Sequence, residues 1–463
     1  MAAVPVVAID NGGGNCKIGI AGQAAPTRVF PNASAKPKGE RQTLIADQLA
    51  DSKEVSQLQL RRPFDRGYCC HLELQRDVWA RGVRAVLRRN PAECGLLLSE
   101  PLFNFEEIRA GTQQVVFEDL GFRSFYAAPG PVFAMHRAAA VLGAGSAAAR
   151  TGAGVVVDCG FSFTHAVPFF KGQVLEGGVR RLNLGGKAMT NYLKELVSYR
   201  SLNMMDETYL MDAVKEQLCF VSQDVRTDLK AAQVAARSPF RREFVLPDGV
   251  HNFKGYVRDP EEWAAKVEAL KQQVRAAESI EEKRRLAATL ESDQVLALNN
   301  ERFMVPELLF HPDDVGLQQQ VRAGGGEVGD GEMGVSVRVC VYDMRGELLF
   351  HPDDVGLQQA GVAEAVVQAV TACHPALAPL LYSNVVVVGG VAACPGFRER
   401  FTAELRALVP DCADLNVFMP QDPAVFTWEG MSGFGASYSY SRLAVTRQQY
   451  NESGGAAGVR QYL

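Results

Sequence analysis

Val6-Val7-Ala8-Ile9-Asp10-Asn11-Gly12-Gly13-Gly14-Asn15-Cys16-Lys17-Ile18-Gly19 is the stretch on which the fold turns. Val6 to Ile9 read as a buried strand, Asp10 ends it, three glycines turn the chain, and a second strand follows. That is the signature of a β-hairpin. The same logic returns at Val155-Val156-Val157-Asp158-Cys159-Gly160-Phe161-Ser162-Phe163-Thr164-His165-Ala166-Val167. A third strand-turn, Val385-Val386-Val387-Val388-Gly389-Gly390, leads through Pro395-Gly396-Phe397 into a helix-like run. Asp10 and Asp158 lie 148 positions apart, about one domain's length, so we expect two similar lobes, each opening with a hairpin.

Helical spacing of apolar residues over 72–89 and 188–199, alternating with the strands, points to an α/β architecture. The 463 residues are 47% apolar and 22% charged, the profile of a soluble globular chain. A net charge of −5 argues against a whole-molecule electrostatic grip on nucleic acid or anionic lipid. The N-terminus lacks leader features, and no apolar run is long enough to span a bilayer, so no membrane partner is expected. Ten scattered cysteines without a Cys-x-x-Cys pair suit free thiols in a reducing compartment. Cys69-Cys70-His71 reads as ordinary packing or surface, because neighbours on an extended strand point opposite ways.

The turns carry the chemistry. A glycine-rich turn aims successive N–H groups at one point and leaves room for phosphate oxygens. Gly12, Gly13 and Gly14 supply such a turn, and Lys17 on the next strand suits a phosphate's charge. Gly160 gives the second turn. Asp10 and Asp158, facing a polyphosphate from two strand ends, suit Mg²⁺ held through water. Gly389 and Gly390 would let the backbone approach a nucleoside closely. The expected ligand is therefore ATP or ADP with Mg²⁺, pinched between the lobes.

Two regions look inserted. Residues 260–299 are rich in Glu, Lys, Arg and Ala, with Trp263, Val267, Leu270, Val274 and Ala277 on one helical face. A surface helix resting that stripe on the body is the plainer reading; a partner-binding helix is the sharper one. Further on, Glu307-Leu308-Leu309-Phe310-His311-Pro312-Asp313-Asp314-Val315-Gly316-Leu317-Gln318-Gln319 recurs unchanged over 347–359, across a glycine-rich linker. A fold built for one copy packs only one, so 320–359 is expected outside the core and poorly ordered. A tandem duplication or a gene-model error explains the repeat better than a function does.

The three strand-turns together resemble the superfamily of actins, seventy-kilodalton heat-shock chaperones and sugar kinases. The resemblance to actins is closer and runs nearly end to end. It is carried by 10–22, by Lys215-Glu216-Gln217-Leu218-Cys219-Phe220-Val221, by Asn300-Glu301-Arg302-Phe303 with Pro306-Glu307, and by Val445-Thr446-Arg447-Gln448-Gln449-Tyr450. The stretches 158–168 and 191–202, with Met205-Asp206-Glu207-Thr208, resemble the actin-related protein six family, in particular its plant-like members. The resemblance implies an actin-like fold of two lobes with mixed sheets flanked by helices around a central nucleotide cleft. It divides the chain into a first lobe at 1–148, with 32–57 as a small outer subdomain, a second lobe at 149–410, and a return to the first over 411–463.

The resemblance also implies that Lys215 and Glu216 contact the nucleoside, that Thr164 belongs to the nucleotide site, and that the protein is nuclear with some cytoplasmic presence. The implied setting is a fixed subunit of a SWR-type complex that exchanges a variant histone into nucleosomes. There it would meet a remodelling ATPase and a small zinc-finger subunit, with contact to nucleosome or histones indirect.

Departures from actin bear on activity. Actins carry Asp-Ser-Gly-Asp-Gly-x-Thr-His in the second phosphate turn; here Phe161 and Ser162 replace the second Asp and Gly. The Gln that positions water in actins is absent from Ala127-Ala128-Pro129-Gly130-Pro131. His165 reads as a structural histidine more readily than as a water ligand. Negligible ATP hydrolysis is expected, with no catalytic residue assigned. The polar stretch 32–57 and Glu429-Gly430-Met431-Ser432-Gly433-Phe434 also depart from actin's filament contacts, so no filament is expected. The competing reading is an ATP-hydrolysing, filament-forming cytoskeletal protein.

Overall fold

The structure is a computed structural model that describes residues 4–37, 42–52, 58–143, 145–234, 237–249, 251–276, 279, 281, 294–312 and 360–452. The first hairpin forms as read. β1 (Val6–Asn11) is buried along its whole length, and β2 (Asn15–Ile20) pairs with it antiparallel, placing Asp10 opposite Lys17. β1 also pairs in parallel with β9 (Gly95–Glu100), and β9 with β10 (Ser124–Pro129). Among the described residues, β3 (Arg28–Pro31) and β20 (Val445–Thr446) complete a six-stranded sheet in the order β20-β10-β9-β1-β2-β3.

The second sheet repeats that plan. β11 (Gly154–Cys159) pairs antiparallel with β12 (Thr164–Phe170), placing Asp158 opposite His165. β18 (Val385–Val388) runs parallel on its other side, followed by β19 (Val417–Phe418). β13 (Gln173–Val174) and β14 (Arg180–Leu182) extend the β12 side. A strand with a parallel neighbour in a sheet flanked by helices is covered on both faces. That is why β1, β11 and β18 are almost continuous apolar runs.

Smaller sheets decorate the lobes. β4 (Ser34–Ala35), β5 (Leu44–Ile45) and β6 (Leu60–Arg61) form one, and β7 (Phe64–Asp65) with β8 (Tyr68–Cys69) another. β15 (Arg242–Val245), β16 (Tyr256–Arg258) and β17 (Val295–Leu298) make a third on the second lobe.

Several expectations need adjusting. The helix read at 72–89 is α-helical only over Leu72–Arg81 and continues as a π-helix over Gly82–Val86. The inserted region is not helical throughout: the helix covers Pro260–Ala276, and 295–298 is β17, because Val295, Leu296, Ala297 and Leu298 alternate inward as a strand does. On that helix Trp263, Val267, Leu270 and Val274 form the inward stripe, with the Arg258 guanidinium 3.7 Å over the Trp263 ring. This favours the plainer reading of a helix resting on the body. Ala277 lies outside the described residues.

β19 still belongs to the second sheet, so the chain crosses back after Phe418, some residues later than 411. The return is then anchored by the helix Phe426–Gly435, which lies on β1, and by β20. The start of the first repeat copy is core: Leu308, Leu309 and Phe310 are buried. The linker and the second copy lie outside the described residues. Among the described residues no helix is long and apolar enough to cross a membrane.

Candidate functional site

Both hairpin turns open into one cavity of about 530 Å³. Asp10, Gly12, Gly13, Gly14, Lys17, Asp158, Gly160, Lys215, Glu216, Gly389 and Gly390 all line it. Residues drawn from four distant stretches therefore meet at one place. Thr164 does not. Its side chain is 1% exposed and donates through Oγ1 to the Leu184 carbonyl at 2.9 Å. Strand alternation is the reason: Phe163, just before β12, and His165 on it face the cavity, so Thr164 between them faces the core.

The first turn is supported from behind. Asn32 Nδ2 donates to the Gly12 carbonyl at 3.0 Å and to Asn11 Oδ1 at 3.3 Å, while Trp79 Nε1 donates to the same Asn11 oxygen at 3.2 Å. In front of it, Lys17 Nζ donates to Asp10 Oδ2 at 2.8 Å, and Ser99 Oγ donates to Asp10 Oδ1 at 2.7 Å. Asn11 N–H donates to Ser99 Oγ at 2.7 Å. Ser99, at the end of β9, was missed by the sequence reading; a polar residue closing an apolar strand beside Glu100-Pro101 was the available signal.

Charge in the cavity is unevenly matched. Asp10, Glu100, Asp158, Asp212 and Glu216 line it against Lys17, Arg181 and Lys215. Burial opposes the charge on Lys17, but Asp10, by charge and hydrogen bond, and Asp158 hold its pKa above the usual value. Burial, and then the charge of Asp10, push Asp158 up to about 7 against the pull of Lys17. Burial and then Asp212 raise Glu216. His165 is held down at about 3 by burial and by Arg181, so it is a neutral imidazole at physiological pH. It packs edge-on to Phe163, whose ring also lies under the Arg181 guanidinium.

Lys215 is committed elsewhere. Its ammonium donates to Thr190 Oγ1 at 2.8 Å, to the Gly186 carbonyl at 3.3 Å and to Asp212. An ammonium has three donors, and all three have partners inside the lobe. Gly389 adopts φ 99° and presses on the Cys159 carbonyl, so only glycine serves there. A side chain at Gly390 would meet open space within the cavity.

The second turn is filled. A methyl placed on Gly14 would lie 2.9 Å from the Phe161 ring, and one on Gly13 would lie 3.0 Å from Ser162 Oγ. The Arg62 guanidinium, arriving from just after β6, sits 4.6 Å over Phe161 and donates to the carbonyls of Gly14 (2.6 Å) and Gly13 (3.3 Å). The two turns thus touch through Phe161 and Ser162. Gly130, near the place where the resemblance to actins would put the water-positioning Gln, opens the helix Gly130–Val141 and brings no side chain to the cavity.

Asp158 makes the stability of the fold depend on pH. Between about pH 4 and 7 the folded state keeps a proton on this carboxyl that the unfolded chain has released. Stability of the ligand-free protein therefore falls as pH rises through that window. Asp158→Asn should relieve this, gaining about 1–2 kcal/mol at pH 8 and nothing at pH 4, once solvent reaching the cleft is allowed for. Urea denaturation at both pH values checks it; equal effects at the two would refute the assignment.

A nucleotide fits the cavity's volume, the glycine backbone of its first turn and its excess of carboxylates that call for a counter-cation. Among the described residues no group of three or more His, Cys, Asp or Glu could hold a metal alone, so Mg²⁺ would need phosphate oxygens and water as ligands.

Comparison with known proteins agrees with this architecture. The profile of the actin family matches residues 1–462. Actin-related protein 6 of Oryza sativa subsp. indica is 39% identical over 469 aligned residues, covering 99% of this chain and 98% of its own. Actin-related protein 6 of Arabidopsis thaliana is 37% identical, covering 99% of each chain, and that of Drosophila melanogaster is 31% identical, covering 97% of each. A two-lobed fold with paired hairpins around one cavity, matched from end to end, leaves one conclusion: the chain belongs to the actin family and, within it, to the actin-related protein 6 group.

Proposed function

We propose that this protein is a non-hydrolysing actin-fold subunit of a SWR-type chromatin-remodelling complex, holding ATP or ADP with Mg²⁺ as a structural ligand between its lobes. The observation that supports this best is the second turn, where Phe161 and Ser162 press on Gly14 and Gly13 and no side chain stands at Gly130 to align water. Phosphoryl transfer to water depends on positioning the attacking molecule, and this cleft has lost two of the parts that do so. A neutral His165 remains, packed against Phe163.

Binding itself has support. Lys17 and the first turn face the cavity, Asp158 would reach Mg²⁺ through water, and the open space at Gly390 would admit the base. Bound Mg²⁺ would neutralise phosphate charge beside Asp10 and Asp158. The fold would then serve as a rigid body for the remodelling ATPase and a small zinc-finger subunit, in the nucleus and to a lesser extent in the cytoplasm, with histone contact indirect.

A tagged chain purified from nuclear extract should recover a remodelling ATPase and a zinc-finger protein, and in single-turnover assay it should cleave no measurable ATP over an hour. Lys17→Ala should abolish the rise in melting temperature given by nucleotide. Turnover near actin's, with concentration-dependent pelleting, would instead establish the filament-forming alternative.

A further inference from the structure

The space between the two turns is where a phosphate chain running from one lobe to the other would have its end. In this protein that space is occupied by an aromatic ring held on several sides. Gly14 of the first turn lies against the ring, with only 2.9 Å left for an added methyl. Gly186, which opens the helix Gly186–Arg200, lies near it, a methyl there falling 3.5 Å from Cδ2. Arg62 covers the ring at 4.6 Å, and its own donors are tied to the first turn's carbonyls. Swinging Phe161 away would break the stack on Arg62 and expose a large apolar side chain. Ser162 closes the gap beside Gly13 in the same way.

Resting on the nucleotide-binding reading above, we propose that the cleft takes a nucleoside diphosphate and discriminates against the triphosphate, because the Phe161 ring and Ser162 fill the position of the third phosphate between the two glycine turns. The second phosphate keeps its partners. Lys17 faces it from β2, and the backbone of the first turn surrounds it. The third phosphate would bring further negative charge to a wall where, among the described residues, carboxylates already outnumber cations, while Lys215 is spent on Thr190, Gly186 and Asp212. Arg62, whose guanidinium lies at the turn, is engaged with carbonyl oxygens and the ring. Steric exclusion and charge therefore act in the same direction.

The test is calorimetric titration of the full chain with ADP, the non-hydrolysable β,γ-imido analogue of ATP, and AMP, at one Mg²⁺ concentration. ADP should bind about tenfold or more tighter than the imido analogue, and more tightly than AMP. In Phe161→Gly the imido analogue should come within about threefold of ADP. Phe161→Leu, which keeps apolar bulk for folding but lacks the ring, should give an intermediate ratio.

An imido analogue that matches or exceeds ADP in the unaltered protein overturns the inference and leaves the nucleotide cleft intact. AMP binding as tightly as ADP overturns it too, since the ring would then exclude the second phosphate. Selectivity unchanged in both variants removes Phe161 as its cause. Failure of all three ligands to bind overturns the nucleotide-binding reading itself.

Discussion

Arg400→Ala is expected to cost about 3–5 kcal/mol of folding stability. Arg400 lies in the helix Phe397–Leu408 and is mostly buried. It donates to Glu307 Oε1 at 3.0 Å, to the Ser222 carbonyl at 2.6 Å and to Glu404, and its guanidinium stacks 5.3 Å over Phe310. Glu307 is the residue at risk. Its side chain is 4% exposed, and burial already raises its pKa against the pull of Arg400. Removing the guanidinium leaves that carboxylate without its main counter-charge, which costs far more than the pair is worth intact.

In the variant Glu307 takes up a proton more readily, so the deficit relative to the unaltered protein should shrink as pH falls toward the carboxyl range. Arg400→Lys should lie between the two, because an ammonium keeps the charge but lacks the fork that reaches three acceptors. Urea denaturation at pH 7.5 and pH 5 reads all of this. A loss under about 1 kcal/mol at pH 7.5 would mean that Glu307 finds water or another partner.

Trp428→Ala should be comparably severe, at about 3–5 kcal/mol. Trp428 is fully buried, and its Nε1 donates to the Ala8 carbonyl at 3.0 Å. The indole packs so tightly over Gly19 that no side chain could stand there. Its loss opens a cavity among Ala8, Leu97, Phe133 and Met431, beneath the strand that carries Asp10. Trp428→Phe keeps most of the volume and should cost about 1–2 kcal/mol. Melting by near-ultraviolet dichroism distinguishes the two. Equal loss in both would place the weight on the Ala8 hydrogen bond rather than on packing.

The parts of the site legible in the sequence are those carried by local backbone pattern. Gly12 to Gly14, Asp10, Asp158 and Gly389 announce themselves because an apolar run, an acid and a glycine turn sit side by side. Crowding at Phe161 was also readable, since a ring in a phosphate turn has few places to go. Thr164 was misplaced because strand alternation fixes which neighbour faces the cleft, and the turn sets the phase of that alternation. Lys215 lines the cleft, but its ammonium is spent on Thr190 and Asp212, partners that one-dimensional reading does not pair.

Arg62 and Ser99 were invisible for the same reason. Each acts on a turn about fifty to ninety residues away, and long-range contact leaves no local trace. The fold was more legible than the site, because each lobe's sheet is built from long apolar strands. The two-residue strands of the small outer sheets carry too little pattern to be called.

The crossing back after Phe418 has a consequence for how the protein is made. On a ribosome the second sheet has all its described strands once residue 418 has emerged, whereas the first sheet lacks the Trp428 helix and β20 until residues 426–446 follow. The lobe that is synthesised first is thus completed last. Throughout that interval Val6 to Ile9 and Leu96 to Leu98 wait with one face uncovered.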